Sequence, residues 1–234
     1  AVRDELALTE CVKAGAKSRV VLTADLVFAM TSDLHGRKSS TAGTPTVGVS
    51  VYVPALLNRD DGDRVSAAMR DAIQMLLIRG WRVVLLGFLH RSDTSSVPQD
   101  RIALTRLADS LPEQYQEQIA LRVLEADNIN GIAQEFSTLT VHCGMRFHGH
   151  VLSAIFEKPF VGIAVDNKID AICRMFGMPV MQLSELSSER LVQAIDRAIT
   201  SRIDPKVLAE CEKNAERNFS QLATSLSAFQ PALP

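Results

Sequence analysis

No charge of one sign dominates this sequence: 25 Lys and Arg stand against 27 Asp and Glu, a formal net charge of -2. A polyanion-seeking surface is not expected from that balance, so nucleic acid is set aside as a partner. No apolar run approaches the roughly 20 residues needed to cross a bilayer. No basic start followed by an apolar middle marks a signal peptide, and a soluble, cytoplasmic protein is the expectation. Cysteine is sparse: Cys11, Cys143, Cys173 and Cys211 lie far apart and form no C-x-x-C pair. His142 and Cys143 are adjacent but point to opposite faces if extended. Reduced thiols, no metal site and no cofactor follow as expectations. Internal repeats and low-complexity segments are also lacking. The chain begins at Ala1 within a helix-like pattern (Val2, Leu6, Leu8, Val12), which points to processing or truncation.

What is present reads as an α/β chain. With 234 residues, 47% of them hydrophobic, there is length for one large domain, or one domain and part of another. From Thr46 onward strand-like and helix-like segments alternate. Strands are expected at 46–53, 81–89, 119–124, 138–141 and 160–165. Helices are expected at 63–78, 102–111, 128–136, 148–157, 169–176, 187–200 and 204–226. Short apolar strands alternating with helices predict a Rossmann-like, mostly parallel sheet with helices on both faces. Residues 1–45 do not fit the repeat. A helix at 2–14, a strand at 19–23 and an apolar run at 26–30 lead into the polar stretch 31–45. This part reads as the tail of a largely absent N-terminal domain plus a linker, with 46–234 as the Rossmann-like domain.

The stretch CGMRFHGH, Cys143 to His150, falls at a strand end, where such sheets bind ligands. A strand-to-helix turn presents unpaired N–H groups and the positive end of the helix dipole, which attract anions. Arg146 adds a planar donor suited to carboxylate or phosphate. His148 carries an imidazole, which ordinarily titrates near neutrality and can serve as acid or base. His142 reads as structural, and His150 can face the same cleft or the opposite side.

The run GMRFHGHVLSAIFEKPFVGIAVDNKID, residues 144–170, resembles the polysaccharide pyruvyl transferase segment that reads Met-Arg-x-His, an apolar helix, then a strand ending in Asp-x-Lys. Arg146, His148, Pro159, Gly162, Asp166 and Lys168 fall in register. VRDELAL at Val2 to Leu8 is similar to the family's Val-Arg-Asp-Glu-x-Ser stretch, with Ala7 where Ser is usual. Asp25 in ADLVFAM resembles the family's Asp before a Pro-x-Phe-x-Leu run, with Leu26 in the place of Pro. GFLHRSD, Gly87 to Asp93, is loosely similar to a further strand end.

The resemblance implies two Rossmann-like domains of GT-B type, of which this chain supplies mainly the second, donor-binding one. It implies transfer of a pyruvyl ketal from phosphoenolpyruvate to a sugar of a polysaccharide or its lipid-linked precursor. A lipid-linked acceptor would bring the protein to the inner membrane face. On this reading Arg146 and His148 are the catalytic pair. Arg146, Phe147, His148, Lys168, Asp166, Arg91 and Asp93 line the substrate site, with Lys168 on donor phosphate and Asp166 orienting it.

Simpler readings stand beside these. Arg91 and Asp93 fit a solvated loop, and Asp166 with Lys168 fits a surface ion pair. His35, Arg37 and Lys38 fit a loop kept soluble by its charges, and His90 fits a rim position. Asp60, Asp61 and Asp63 suit a helix start better than a metal site. Two other functions remain open: a GT-B nucleotide-sugar glycosyltransferase or epimerase, and a non-catalytic binding or assembly domain.

Overall fold

The computed structural model describes residues 2–3, 5–16, 20–35, 43–51, 59–89, 99–125 and 128–228. In chain order the elements are α1 (Glu5–Lys13), α2 (Thr31–His35), β1 (Thr46–Ser50), α3 (Arg59–Ile78), β2 (Arg82–Leu89), α4 (Gln99–Asp109), β3 (Ile119–Glu125) and α5 (Ile129–Thr138). They continue with β4 (Val141–Gly144), α6 (Phe147–Ile155), β5 (Phe160–Ala164), α7 (Asn167–Met175), β6 (Val180–Gln182), α8 (Ser188–Ala198) and α9 (Pro205–Ala228). Among the described residues no helix is long and apolar enough to cross a membrane.

By internal contacts the chain divides into two units, Arg37–Ile203 and a second made of Ala1–Gly36 with Asp204–Pro234. In the larger unit six parallel strands stand in the order β3-β2-β1-β4-β5-β6. Side chains alternate across the sheet as extended backbone requires. Val47, Val49, Val83, Leu85, Val141, Cys143, Val161 and Ile163 join one core with α3, α4 and α8. In α3 the residues Val65, Met69, Ile73 and Leu76 recur at helical spacing and are buried there. Gly80, at φ 80°, ends the segment.

The other face carries α5, α6 and α7. Phe136 and His142 lie 6.0 Å apart by ring centroids, and His150 and Phe160 5.1 Å. Gly162 sits so close beneath Cys173 and Ile169 that a Cβ there would meet both. The expected parallel sheet covered on both faces is thus present.

Local differences from the sequence reading have identifiable causes. The fourth strand runs Val141–Gly144, not 138–141. Thr138 stays in α5, and Thr140 N donates to Thr46 O at 2.8 Å just ahead of the ladder. The strand ends Cys-Gly because Gly144 pairs with Ser50 at a separation no Cβ would permit. The sixth strand, three residues on the edge beside β5, is too short for a sequence pattern to reveal. Of the strand expected at 19–23, the described part makes one parallel bridge, Val2 to Leu22.

The smaller unit differs from the domain division expected at residue 45. Helix α9 groups with the N-terminal segment and not with 46–203. Leu208, Cys211 and Ala215 form a buried stripe on α9. Thr23 Oγ1 donates to Asn218 Oδ1 at 3.0 Å, and Asn218 Nδ2 donates to Ala24 O at 3.2 Å. Arg3 and Asp25, from the two N-terminal segments with family resemblance, form an ion pair at 3.4 Å.

Candidate functional site

Strand order reverses between β1 and β4, since β1 leads by α3 to β2 on one side, and β4 leads by α6 to β5 on the other. At such a point the connections diverge and leave a crevice outside the strand ends, the usual ligand position in this architecture. At this point Ser50 ends β1 and the turn Met145-Arg146 follows β4. Met145 N donates to Ser50 O at 2.8 Å, tying the turn to β1. Arg146 is the N-cap residue of α6 with φ -96° and ψ 116°, and gives no side-chain cap to the helix. No acidic residue stands in the first turn of α6, so the positive helix end is not offset from within.

The three histidine rings in and beside the turn separate into two environments. His148, in the first turn of α6, is exposed and meets Phe147 edge to face at 5.6 Å. His142 and His150 are fully buried, with ring centroids 4.9 Å apart. His150 Nε2 donates to the Gly144 carbonyl at 3.1 Å, and His142 Nε2 lies 3.0 Å from Ser50 Oγ. Burial holds the His142 pKa well below its ordinary value, reinforced by the neighbouring His150. Burial likewise pushes His150 down to about 4, although its bond to the Gly144 carbonyl works the other way. Both rings are therefore neutral at pH 7. Their Nδ1 atoms are buried without a hydrogen-bond partner, as two uncharged rings in an aromatic cluster can tolerate better than two cations.

Asp100 is the residue the sequence reading missed. It lies in the first turn of α4 with its side chain 2% exposed, and it receives Arg146 side-on. Arg146 Nε donates to Asp100 Oδ2 at 2.6 Å and Nη2 donates to Oδ1. No local signal announces this pairing, because 46 residues separate the partners.

The Asp166 side chain caps α7, accepting from Lys168 N at 2.9 Å and Ile169 N at 3.3 Å. It thus orients the backbone of Lys168; the Lys168 side chain itself is exposed. Arg37, Lys38, His90, Arg91 and Asp93 lie outside the described residues, as do the side chains of His35, Asp60 and Asp61. Asp63 is exposed on α3. Among the described residues no cluster of His, Cys, Asp and Glu could hold a metal ion. Cys143 is fully buried and its pKa is pushed up to about 12 by burial, then by Cys173, which leaves it a protonated packing residue.

Fold and site together define a doubly wound parallel domain with a charged turn at its switch point. The polysaccharide pyruvyl transferase family matches residues 1–167, and the chain belongs to that family. No curated protein matches it. Among solved structures, the UDP-GlcNAc 2-epimerase of Methanocaldococcus jannaschii in complex with UDP-GlcNAc and UDP is similar with a TM-score of 0.65 at 10% identity, over 94% of this chain and 59% of that one. The Neisseria meningitidis UDP-GlcNAc 2-epimerase bound to UDP-GlcNAc gives 0.59 at 10% identity, over 92% and 59%. The S. aureus MnaA–UDP structure gives 0.59 at 12% identity, over 96% and 60%. At these identities the likeness is one of fold alone, that of a Rossmann-like α/β domain. The chain spans about three fifths of the length of these structures.

Proposed function

We propose that this chain carries the donor side of an enzyme that moves a pyruvyl group from phosphoenolpyruvate to a sugar, as a ketal. The observation that most supports this is the place of Arg146, Phe147 and His148. They lie within the family match, at the sheet's switch point, on the amino end of α6. Phosphoenolpyruvate brings a phosphate and a carboxylate. The N–H groups of α6 and the Arg146 guanidinium hold these anions. Lys168, exposed beyond β5, adds a charge for the phosphate, and Asp166 sets the helix start that carries it.

The chemistry then needs one well-placed proton. A sugar hydroxyl oxygen bonds to C2 while a proton reaches the methylene carbon, which becomes the methyl group. A second hydroxyl bonds to C2 as the C2–O bond to phosphate breaks. Of the two hydroxyl protons, one is balanced by the new C–H bond and the other leaves with inorganic phosphate. In this scheme His148 supplies the proton to carbon and is reprotonated from the first hydroxyl. The acceptor is a sugar of a polysaccharide or of its lipid-linked precursor, which places the work in the cytoplasm at the inner membrane face.

Titrating phosphoenolpyruvate, UDP-GlcNAc and inorganic phosphate into the protein by calorimetry tests the donor. Phosphoenolpyruvate is expected to bind best. Preference for UDP-GlcNAc would replace this reading with a nucleotide-sugar enzyme, and binding of none would leave a binding or assembly domain.

A further inference from the structure

Arg146 and Asp100 belong to helices on opposite faces of the sheet: α4 packs in the core shared by α3 and α8, and α6 packs with the aromatic cluster on the other side. Between the strands that precede them, β2 and β4, stands only β1. The Arg146–Asp100 pair therefore ties the start of α4, on one face of the sheet, to the turn after β4 that leads into α6 on the other. Arg146 is long enough to lie in many directions, and its side chain is 23% exposed. Asp100 is nearly fully buried and sits on a helix start, where the dipole favours a carboxylate. It is the less movable partner.

We propose that Asp100 is a positioning residue for Arg146 in donor binding, an assignment that rests on the phosphoenolpyruvate reading above. Side-on pairing takes Nε and Nη2 of the guanidinium and fixes both the plane and the rotation of the fork. An anion at the turn then meets a guanidinium whose orientation is set in advance, which lowers the ordering cost of binding. The carboxylate also has a cost: its negative charge lies next to an anion site and by Coulomb's law weakens anion binding. A residue that served only as counter-charge would show that sign alone.

The opposed signs make the test decisive. Phosphoenolpyruvate affinity is measured by calorimetry for wild type, Asp100→Asn, Asp100→Glu, Arg146→Lys and Asp100→Asn/Arg146→Lys, with thermal unfolding of each as the check on folding. Asp100→Asn removes the repelling charge but loosens the fork, and weaker binding by about tenfold is expected, the worth of one charge-assisted hydrogen bond. Asp100→Glu keeps the charge and displaces the fork by one methylene, and weaker binding is again expected. In the Arg146→Lys background, where no fork remains, Asp100→Asn should cause no further loss. Wild type that binds while both Asp100 variants bind equally well or better overturns the role of Asp100 alone. Wild type that does not bind phosphoenolpyruvate overturns the donor reading, and the positioning role with it. If Asp100→Asn does not fold, Asp100→Glu and Arg146→Lys decide the matter.

Discussion

Ser50 Oγ lies 3.0 Å from Nε2 of His142, and both side chains are fully buried at the point where the sheet changes direction. Ser50 is the residue of β1 in register with Gly144, and its carbonyl also receives Met145 N. One serine thus links the ends of both switch-point strands. Ser50→Ala would leave His142 with neither ring nitrogen partnered, since Nδ1 already has none. A loss of about 1 to 3 kcal/mol is expected, the cost of an unsatisfied buried polar group. Denaturant unfolding measures it, and an unchanged midpoint would show that the contact contributes nothing.

The buried histidine pair makes stability depend on pH in a definite direction. Both groups have folded pKa values below the usual 6.5, so the unfolded chain binds more protons as pH falls. Their stabilising contribution is complete above pH 6.5 and is lost as pH drops toward the folded value, about 4 for His150. Between pH 6.5 and 5 His150 should remove about 1.6 kcal/mol, and His142 acts in the same direction. His150→Gln, which can still donate to the Gly144 carbonyl, should make this slope shallower. Unfolding curves at a series of pH values check both statements, and a variant with the wild-type slope would contradict the second.

Gly149 and Gly144 are expected to resist substitution to different degrees. A Cβ at Gly149 would stand 2.6 Å from His142 Cε1 and 2.7 Å from Nε2. The ring is buried and has little room to yield, so Gly149→Ala should destabilise by about 1 to 3 kcal/mol while still folding. At Gly144 the obstacle is the backbone of Ser50, which cannot yield without breaking the β1–β4 pairing. Gly144→Ala should give less soluble protein and a lower melting temperature than Gly149→Ala. The reverse order would refute this account.

Arg146→Ala is a poor probe of function because of Asp100. It would strand a carboxylate that is 2% exposed, at a cost of about 3 to 5 kcal/mol. Arg146→Ala/Asp100→Ala should regain much of that stability. If both proteins unfold at the same denaturant concentration, the pair is not energetically coupled.

His148 offers the cleaner functional probe, being exposed in the first turn of α6. His148→Ala should cost about 0.5 to 1.5 kcal/mol, the worth of an edge-to-face ring pair such as that with Phe147. If it is the proton donor, pyruvyl transfer should fall by about 10² to 10⁴. Phosphate release from phosphoenolpyruvate in the presence of acceptor measures the effect, and wild-type turnover by the variant would remove His148 from the mechanism.

The sequence by itself determined the architecture, because short apolar strands alternating with helices can bury themselves in few other ways. It also singled out the candidate turn, and the family, through the spacing of Arg146, His148, Asp166 and Lys168. The opposite facing of His142 and Cys143 was legible for the same reason, since two neighbours on a strand must point apart. Only the tertiary structure decided what depends on distant partners. It showed that the turn lies at the switch point, since strand order is not written in any local pattern. It separated exposed His148 from buried His142 and His150, three rings within nine residues that differ in what packs on them. It brought Asp100 onto Arg146 across 46 residues, and α9 onto the N-terminal segment. Periodicity reports which face of an element is apolar; it carries no information about which other element covers that face.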